Sequence, residues 1–146
     1  MRKIALLVAC TLLAAVLTAC GIIKTQEMDP SQQPHPPNTL VKIQRPDGEL
    51  VYFSSDDIRA LPTTTTRIDE ADVSGPSLQA VLKLAGVSGE FKELTLTGSD
   101  GSMRLEYQQV NDFTLLVFTN RNTLRLVDST LIKAEWITDV SLIEVQ

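Results

Sequence analysis

Thiols, imidazoles and carboxylates carry most protein chemistry, and in this chain of 146 residues they are unevenly placed. Both cysteines, Cys10 and Cys20, and the single histidine, His35, precede the foldable part of the sequence. Beyond them no thiolate or imidazole metal site can be assembled. The same gap removes Ser-His-Asp and Cys-His catalysis. No Walker loop or Gly-rich dinucleotide fingerprint occurs. The Asp47-Gly48 and Asp100-Gly101 pairs lack the further oxygen ligands of a calcium loop and read as turns. Carboxylates remain, but Asp56 and Asp57 are adjacent and would point apart on a helix. Asp69, Glu70 and Asp72 cluster before Gly75-Pro76 and read as a solvated connection. No catalytic residue and no metal site is expected. An enzyme using carboxylates alone would need two acids facing each other in a cleft.

The first twenty residues have a different chemistry. Arg2 and Lys3 form a positive start, Ile4 to Val16 an apolar run without charge, and Leu17-Thr18-Ala19 a small-residue close before Cys20. This is the plan of a secretory signal peptide over residues 1–19, too short for a spanning helix. Its close resembles the lipobox of bacterial lipoproteins. The resemblance implies that Cys20 becomes the first mature residue and carries diacylglyceryl and a further acyl group such as palmitate. Each buried methylene adds about 0.8 kcal/mol, so several chains anchor a domain stably. The alternatives are an ordinary secreted protein with an unlipidated Cys20, and a lipobox at Leu7-Val8-Ala9-Cys10. The second leaves an apolar region of about six residues, below the usual length. Removing residues 1–19 takes away Arg2 and Lys3 and no acid, so the net charge moves from −5 to −7. That sign argues against nucleic acid and against electrostatic docking on anionic lipid. With one remaining cysteine, no internal disulfide is expected.

Residues 20–38 read as the lipidated cysteine and a tether. Gly21 to Asn38 holds four of the seven prolines and no periodic apolar pattern. His35 lies between Pro34 and Pro36 and reads as incidental. From Thr39 to Gln146 a single domain is expected. Leu40–Gln44 and Glu49–Phe53 form a hairpin around Asp47-Gly48. Ser55 is expected to cap a short helix over Asp56–Leu61, stopped by Pro62. Thr63–Ile68 reads as a strand or extended edge, and Ser77–Gly86 as the clearest helix. Strands are expected over Glu93–Thr97, Ser102–Tyr107, Phe113–Thr119, Thr123–Val127 and Ile137–Val145, the last headed by Trp136. The class is α+β, with a mixed or mostly antiparallel sheet and two short helices.

Four segments carry a family resemblance: Gly75-Pro76-Ser77-Leu78 through Ala85-Gly86-Val87, the ELTLTGSDGS strand and loop at 93–102, DFTLLVF at 112–118, and Leu124-Arg125-Leu126-Val127 followed by Trp136–Ile143. In this order they resemble the oxidoreductase molybdopterin-binding domain of the sulfite oxidase type. The resemblance implies that fold over residues 39–146, with a vestigial cleft. It does not carry molybdenum chemistry, because the ligating cysteine and the pterin-holding histidines are absent, and the family's G-x-P-L-R segment is reduced to Asn122-Thr123-Leu124-Arg125. Arg125 matches that segment's arginine, whose guanidinium fork suits an anion. The plain alternative is a strand arginine facing solvent or paired with Asp128 or Asp100. A β-grasp-like ligand domain shares the helix and following strand, without the Leu-Arg-Leu-Val and Trp-Ile elements.

The resulting expectation is a membrane-anchored envelope lipoprotein with a non-catalytic ligand- or protein-binding domain and no resident cofactor. Arg104, Arg121 and Arg125 around the Asp100-Gly101 loop are its candidate ligand contacts. The alternative is an accessory of an envelope redox system that binds a pterin or other anionic cofactor non-covalently, which calls for converging arginines. The partners expected are the membrane, through the acyl chains on Cys20, and an envelope protein. Gly21 is not the aspartate associated with inner-membrane retention in enteric bacteria. In a diderm host this favours the outer membrane with the domain in the periplasm. In a monoderm host the domain would sit on the outer face of the cell membrane.

Overall fold

Alternation puts Val41 and Ile43 on the buried side of β1 (Thr39–Gln44), with Lys42 and Gln44 half-exposed. The computed structural model describes residues 36–146. The signal peptide, Cys10, Cys20, and the tether up to His35 lie outside the described residues. A turn in which Gly48 takes φ +85° returns the chain into β2 (Leu50–Ser54). Helix α1 (Ser55–Arg59) begins one residue earlier than the sequence suggests, because Ser54 and not Ser55 is the cap. The Asp57 carboxylate accepts from the Ser54 N–H at 2.8 Å, and the Ser54 hydroxyl accepts from the Asp57 N–H at 3.3 Å. This is a closed capping box.

Strands β3 (Thr64–Ile68) and β4 (Ala71–Gly75) form a hairpin whose two-residue turn, Asp69-Glu70, has φ of 49° and 66°. The acidic stretch is solvated as expected, but it is a tight hairpin turn and the start of a strand and not an irregular connection. Helix α2 (Leu78–Leu84) is capped by the Ser77 hydroxyl, which accepts from the Ala80 N–H, and Gly86 at φ +79° ends it. The remaining strands are β5 (Glu93–Gly98), β6 (Gly101–Glu106), β7 (Leu115–Phe118), β8 (Leu124–Val127) and β9 (Leu142–Val145).

Five strands form one sheet in the order β2-β1-β9-β5-β6, with only β1 and β9 parallel. Val41, Ile43, Leu94, Leu96 and Ile143 on its inner side share one core with Leu78, Val81 and Leu82 of α2 and Leu116, Leu124 and Leu126 of the β7–β8 hairpin. Fully burying each such side chain contributes about 1.5–3 kcal/mol. The class is α+β: small sheets of mostly antiparallel strands with two short helices. No helix among the described residues is long and apolar enough to cross a membrane.

The β3–β4 and β7–β8 hairpins meet where Gly75 crosses Leu116, and just beyond this the chain forms an isolated bridge, Ser77 with Leu115. There the Leu116 N–H donates to the Pro76 carbonyl at 3.0 Å and the Leu78 N–H to the Thr114 carbonyl at 2.7 Å. A Cβ on Gly75 would lie 2.6 Å from the Leu116 carbonyl oxygen, so the crossing requires glycine. The final strand is shorter than the apolar pattern from Ile137 suggests, because residues 137–141 have another task. The Leu126 N–H donates to the Ile137 carbonyl, the Val140 N–H to Leu124, and the Ser141 N–H to Thr97. This segment ties the β7–β8 hairpin to the main sheet before β9 begins.

Candidate functional site

Register decides what the β7–β8 hairpin shows to each side. Leu116 pairs with Leu126 and Phe118 with Leu124, and that face joins the core. Leu115 pairs with Val127 and Val117 with Arg125, so an arginine stands among valines and a leucine on the opposite face. Above this face lies an open cleft of about 500 Å³. Asp72, Val73 and Ser74 of β4 form one wall and Val117 to Asn120 the other, with Arg125, Val127 and Trp136 completing it. An adjoining hollow of about 610 Å³ shares Val73, Arg125 and Trp136, and adds Asp100 and Lys133. Arg125 stands where the two meet. A second, more apolar hollow beside α2 is lined by Leu82, Val87, Phe91, Tyr107 and Val110, with Lys83 as its only charged side chain.

Trp136 does not head the final strand. It follows a short 3-10 turn, Lys133–Glu135, and is half-buried, its indole Nε1 donating to the Asp128 carbonyl at 3.3 Å. Asp128 is the buried group that organises this wall. Its carboxylate accepts from the Thr114 hydroxyl at 2.5 Å, the Thr130 hydroxyl at 2.6 Å and the Thr130 N–H at 2.8 Å. Asp128 is therefore not the partner of Arg125. The sequence holds a signal for it, since aspartate two residues before threonine is a turn-forming pattern.

Of the four candidate ligand contacts, only Arg125 and Asp100 line one hollow. Arg104 is exposed on β6 and reaches Glu93 across the strand pair at 3.7 Å. Arg121, in the β7–β8 turn, donates to both oxygens of Asp139 at 3.1 and 2.8 Å. Asp100 shares the adjoining hollow with Arg125, but its carboxylate accepts from the Thr138 N–H at 2.8 Å. Lys133 is held by Asp69 at 2.8 Å. Of the three candidate arginines, Arg125 alone enters no ion pair among the described residues; it is exposed on β8, in line with the alternative of a solvent-facing strand arginine, and lines the cleft with Val117, Val127 and Trp136. Such a guanidinium can receive a carboxylate, a phosphate or another planar anion through its fork of N–H groups.

No group of three or more His, Cys, Asp or Glu among the described residues could hold a metal ion. The acids Asp56, Asp57, Asp69, Glu70 and Asp72 are all exposed. Asp57 is occupied by its cap and Asp69 by Lys133.

The loop beside the hollow that adjoins the cleft is held by two carboxylates. The Thr138 N–H holds the Asp100 carboxyl below its ordinary value of 3.8. The Thr123 hydroxyl first, then the Ser99 hydroxyl and Arg121, does the same for Asp139. Groups with depressed folded values stabilise above their unfolded pKa, and this contribution is lost as pH falls through the lowered folded value. Protection of the Thr138 amide, corrected for intrinsic exchange, should be level at about pH 5–7 and fall below about pH 4. Hydrogen exchange by NMR checks this, and protection persisting at about pH 2 would refute the role given to these acids.

A scan against models of known protein families finds no match for this chain, and a search of curated proteins also returns none.

Proposed function

We propose that this chain is a lipid-anchored protein of a bacterial envelope whose domain binds a ligand or a protein partner without turning it over. Acyl chains on Cys20 hold it in the membrane, and residues 39–146 form a small relative of the sulfite oxidase-type molybdopterin-binding domain. The localisation follows from the anchor: the outer membrane facing the periplasm in a diderm host, the outer face of the cell membrane in a monoderm one. The observation that carries the binding role is the cleft over β4, β7 and β8, lined by Trp136 and by Arg125, which has no carboxylate partner among the described residues.

The residues present do not fit a molybdenum centre, because residues 36–146 offer neither thiolate nor imidazole. The alternative, a redox accessory that holds a pterin or other anionic cofactor, is favoured by the presence of an exposed arginine and an indole in the lining of one cleft. It is weakened by Arg104 and Arg121, which turn to Glu93 and Asp139.

Gentle extraction of the full chain from its own host's envelope tests the reading, through intact mass and an absorption spectrum. The expected mass is that of a chain beginning at Cys20 with diacylglyceryl and acyl groups, without pterin-like absorption. Substituting Cys20→Ser should release the chain from the membrane fraction or leave it unprocessed. Pterin-like absorption would transfer the case to the alternative. An unacylated mass would overturn the anchor.

A further inference from the structure

We infer that strand β2 is an interface between two copies of this chain, pairing antiparallel with itself about a two-fold axis at Val51. The pairing does not depend on what the cleft binds, and it draws on the reading above only for the anchor. The first ground is an unguarded edge. β2 ends one side of the five-stranded sheet. The Arg45 N–H donates to the Glu49 carbonyl, and Val51 and Phe53 lie opposite Ile43 and Val41. The ladder alternates, so the backbone groups of Leu50 and Tyr52 point away from β1. Neither residue bonds through its backbone to another loop or turn among the described residues. Leu50–Ser54 holds no charge, proline or glycine, and Leu50, Val51 and Tyr52 are half-exposed. Such an edge accepts a further strand.

The other edges of the fold are guarded. At the far side of the same sheet, Glu93 exchanges its backbone bonds with Gln146, so Ser102, Arg104 and Glu106 face outward on β6. Two of these are charged, and the Gln109 side chain already accepts from the Glu106 N–H at 2.8 Å. Strand β3 carries the exposed Arg67, and β8 is covered by residues 137–141. The second ground is self-complementarity. A two-fold axis sets the middle of a strand against itself, so a charge there repels its own copy, and β2 presents none. About an axis at Val51, Leu50 exchanges both backbone bonds with Tyr52 of the second copy. Their side chains then form aliphatic–aromatic pairs across the junction. An axis at Leu50 or Tyr52 would instead call on Gly48 or Ser54. Those N–H groups are already taken by the Arg45 carbonyl and the Asp57 carboxylate. The contact is small, and confinement by the anchor on Cys20 supplies the effective concentration it needs.

Cysteine crosslinking of the full chain in its own host's membranes tests this, with diamide as the oxidant. Val51 and its copy form a non-hydrogen-bonded pair with Cα atoms about 4.5 Å apart, within disulfide reach. Val51→Cys should therefore give a disulfide dimer about tenfold faster, or more, than Ser102→Cys on the guarded edge. The parent chain, whose own cysteines are Cys10 and Cys20, sets the baseline. Adding Leu50→Lys to Val51→Cys should slow the dimer by about tenfold, because a lysine guards an edge. Leu50→Pro should act likewise, since it removes an N–H that the single copy leaves unused. Trp136 emission matching the parent's checks that both variants fold. Equal rates for Val51→Cys and Ser102→Cys, or dimers indifferent to both Leu50 variants, would overturn the inference. If the chain fractionates as soluble, the anchor falls. The same ratios, measured on the concentrated soluble chain, then decide the pairing by themselves.

Discussion

Replacing Gly98 by alanine should cost this domain about 3 kcal/mol or more and lower its melting temperature by more than about 10 °C. A Cβ at this position would lie 2.1 Å from the Thr138 carbonyl oxygen and 2.7 Å from the Ile137 side chain. The Thr138 carbonyl has little room to retreat. It accepts from the Ser99 N–H at 2.9 Å, and the Thr138 N–H is held by Asp100. The same segment links β8 to the main sheet through Ile137 and Val140. Any shift therefore spreads to the hairpin that carries Arg125. Total stabilities of about 5–15 kcal/mol leave little margin for such a loss. Thermal unfolding by circular dichroism, with Ser102→Ala on the exposed start of β6 as a neutral control, gives the comparison. A melting temperature for Gly98→Ala within a few degrees of the parent would show that the contact is not tight.

Asp128→Ala should destabilise the domain by about 3 kcal/mol and shift the Trp136 emission to the red. The carboxylate is almost fully buried and takes three hydrogen bonds, from Thr114 and from both the hydroxyl and N–H of Thr130. Alanine leaves the buried Thr114 hydroxyl without that acceptor and frees the turn that leads to Trp136. Asp128→Asn keeps one acceptor oxygen and should cost about a third as much, because the Thr114 hydroxyl can turn to accept from the amide. Denaturant midpoints with emission spectra separate the two variants. An unchanged midpoint and spectrum for Asp128→Ala would remove Asp128 from its place as organiser of the cleft wall.

Much of the fold is legible along the chain because local rules agree with the final packing. Val41 and Ile43 alternate and are buried, Ser77 and Gly86 bracket α2, and Ser99-Asp100, between Gly98 and Gly101, turns β5 into β6. The differences arise where backbone conformation is unannounced by residue type or where a distant contact decides. The Asp69-Glu70 turn adopts positive φ at both residues without a glycine to announce it, so β4 was hidden inside an acidic stretch. Ile137 and Val140 continue an apolar pattern into β9, but their backbone groups are used by β8. Parallel pairing of β1 with β9 joins the two ends of the domain, and no local spacing reports it.

The site was partly legible for the same reason. Arg125 was visible as the arginine of a strand otherwise made of Leu and Val. Its isolation from every acid depends on Asp100 being used by Thr138 and Asp128 by two threonines, contacts that span different loops. Arg104 and Arg121 look equivalent to it in sequence, but Arg104 lies on β6 of the main sheet and Arg121, in the same hairpin, is turned to Asp139.

Native mass spectrometry on wild type, Arg125→Gln and Arg121→Gln, each extracted gently from the same host's envelope, tests binding at this cleft most directly. The expected result is a companion mass on wild type and Arg121→Gln that is missing from Arg125→Gln. The same companion on all three, or bare chains throughout, would contradict a binding role for Arg125.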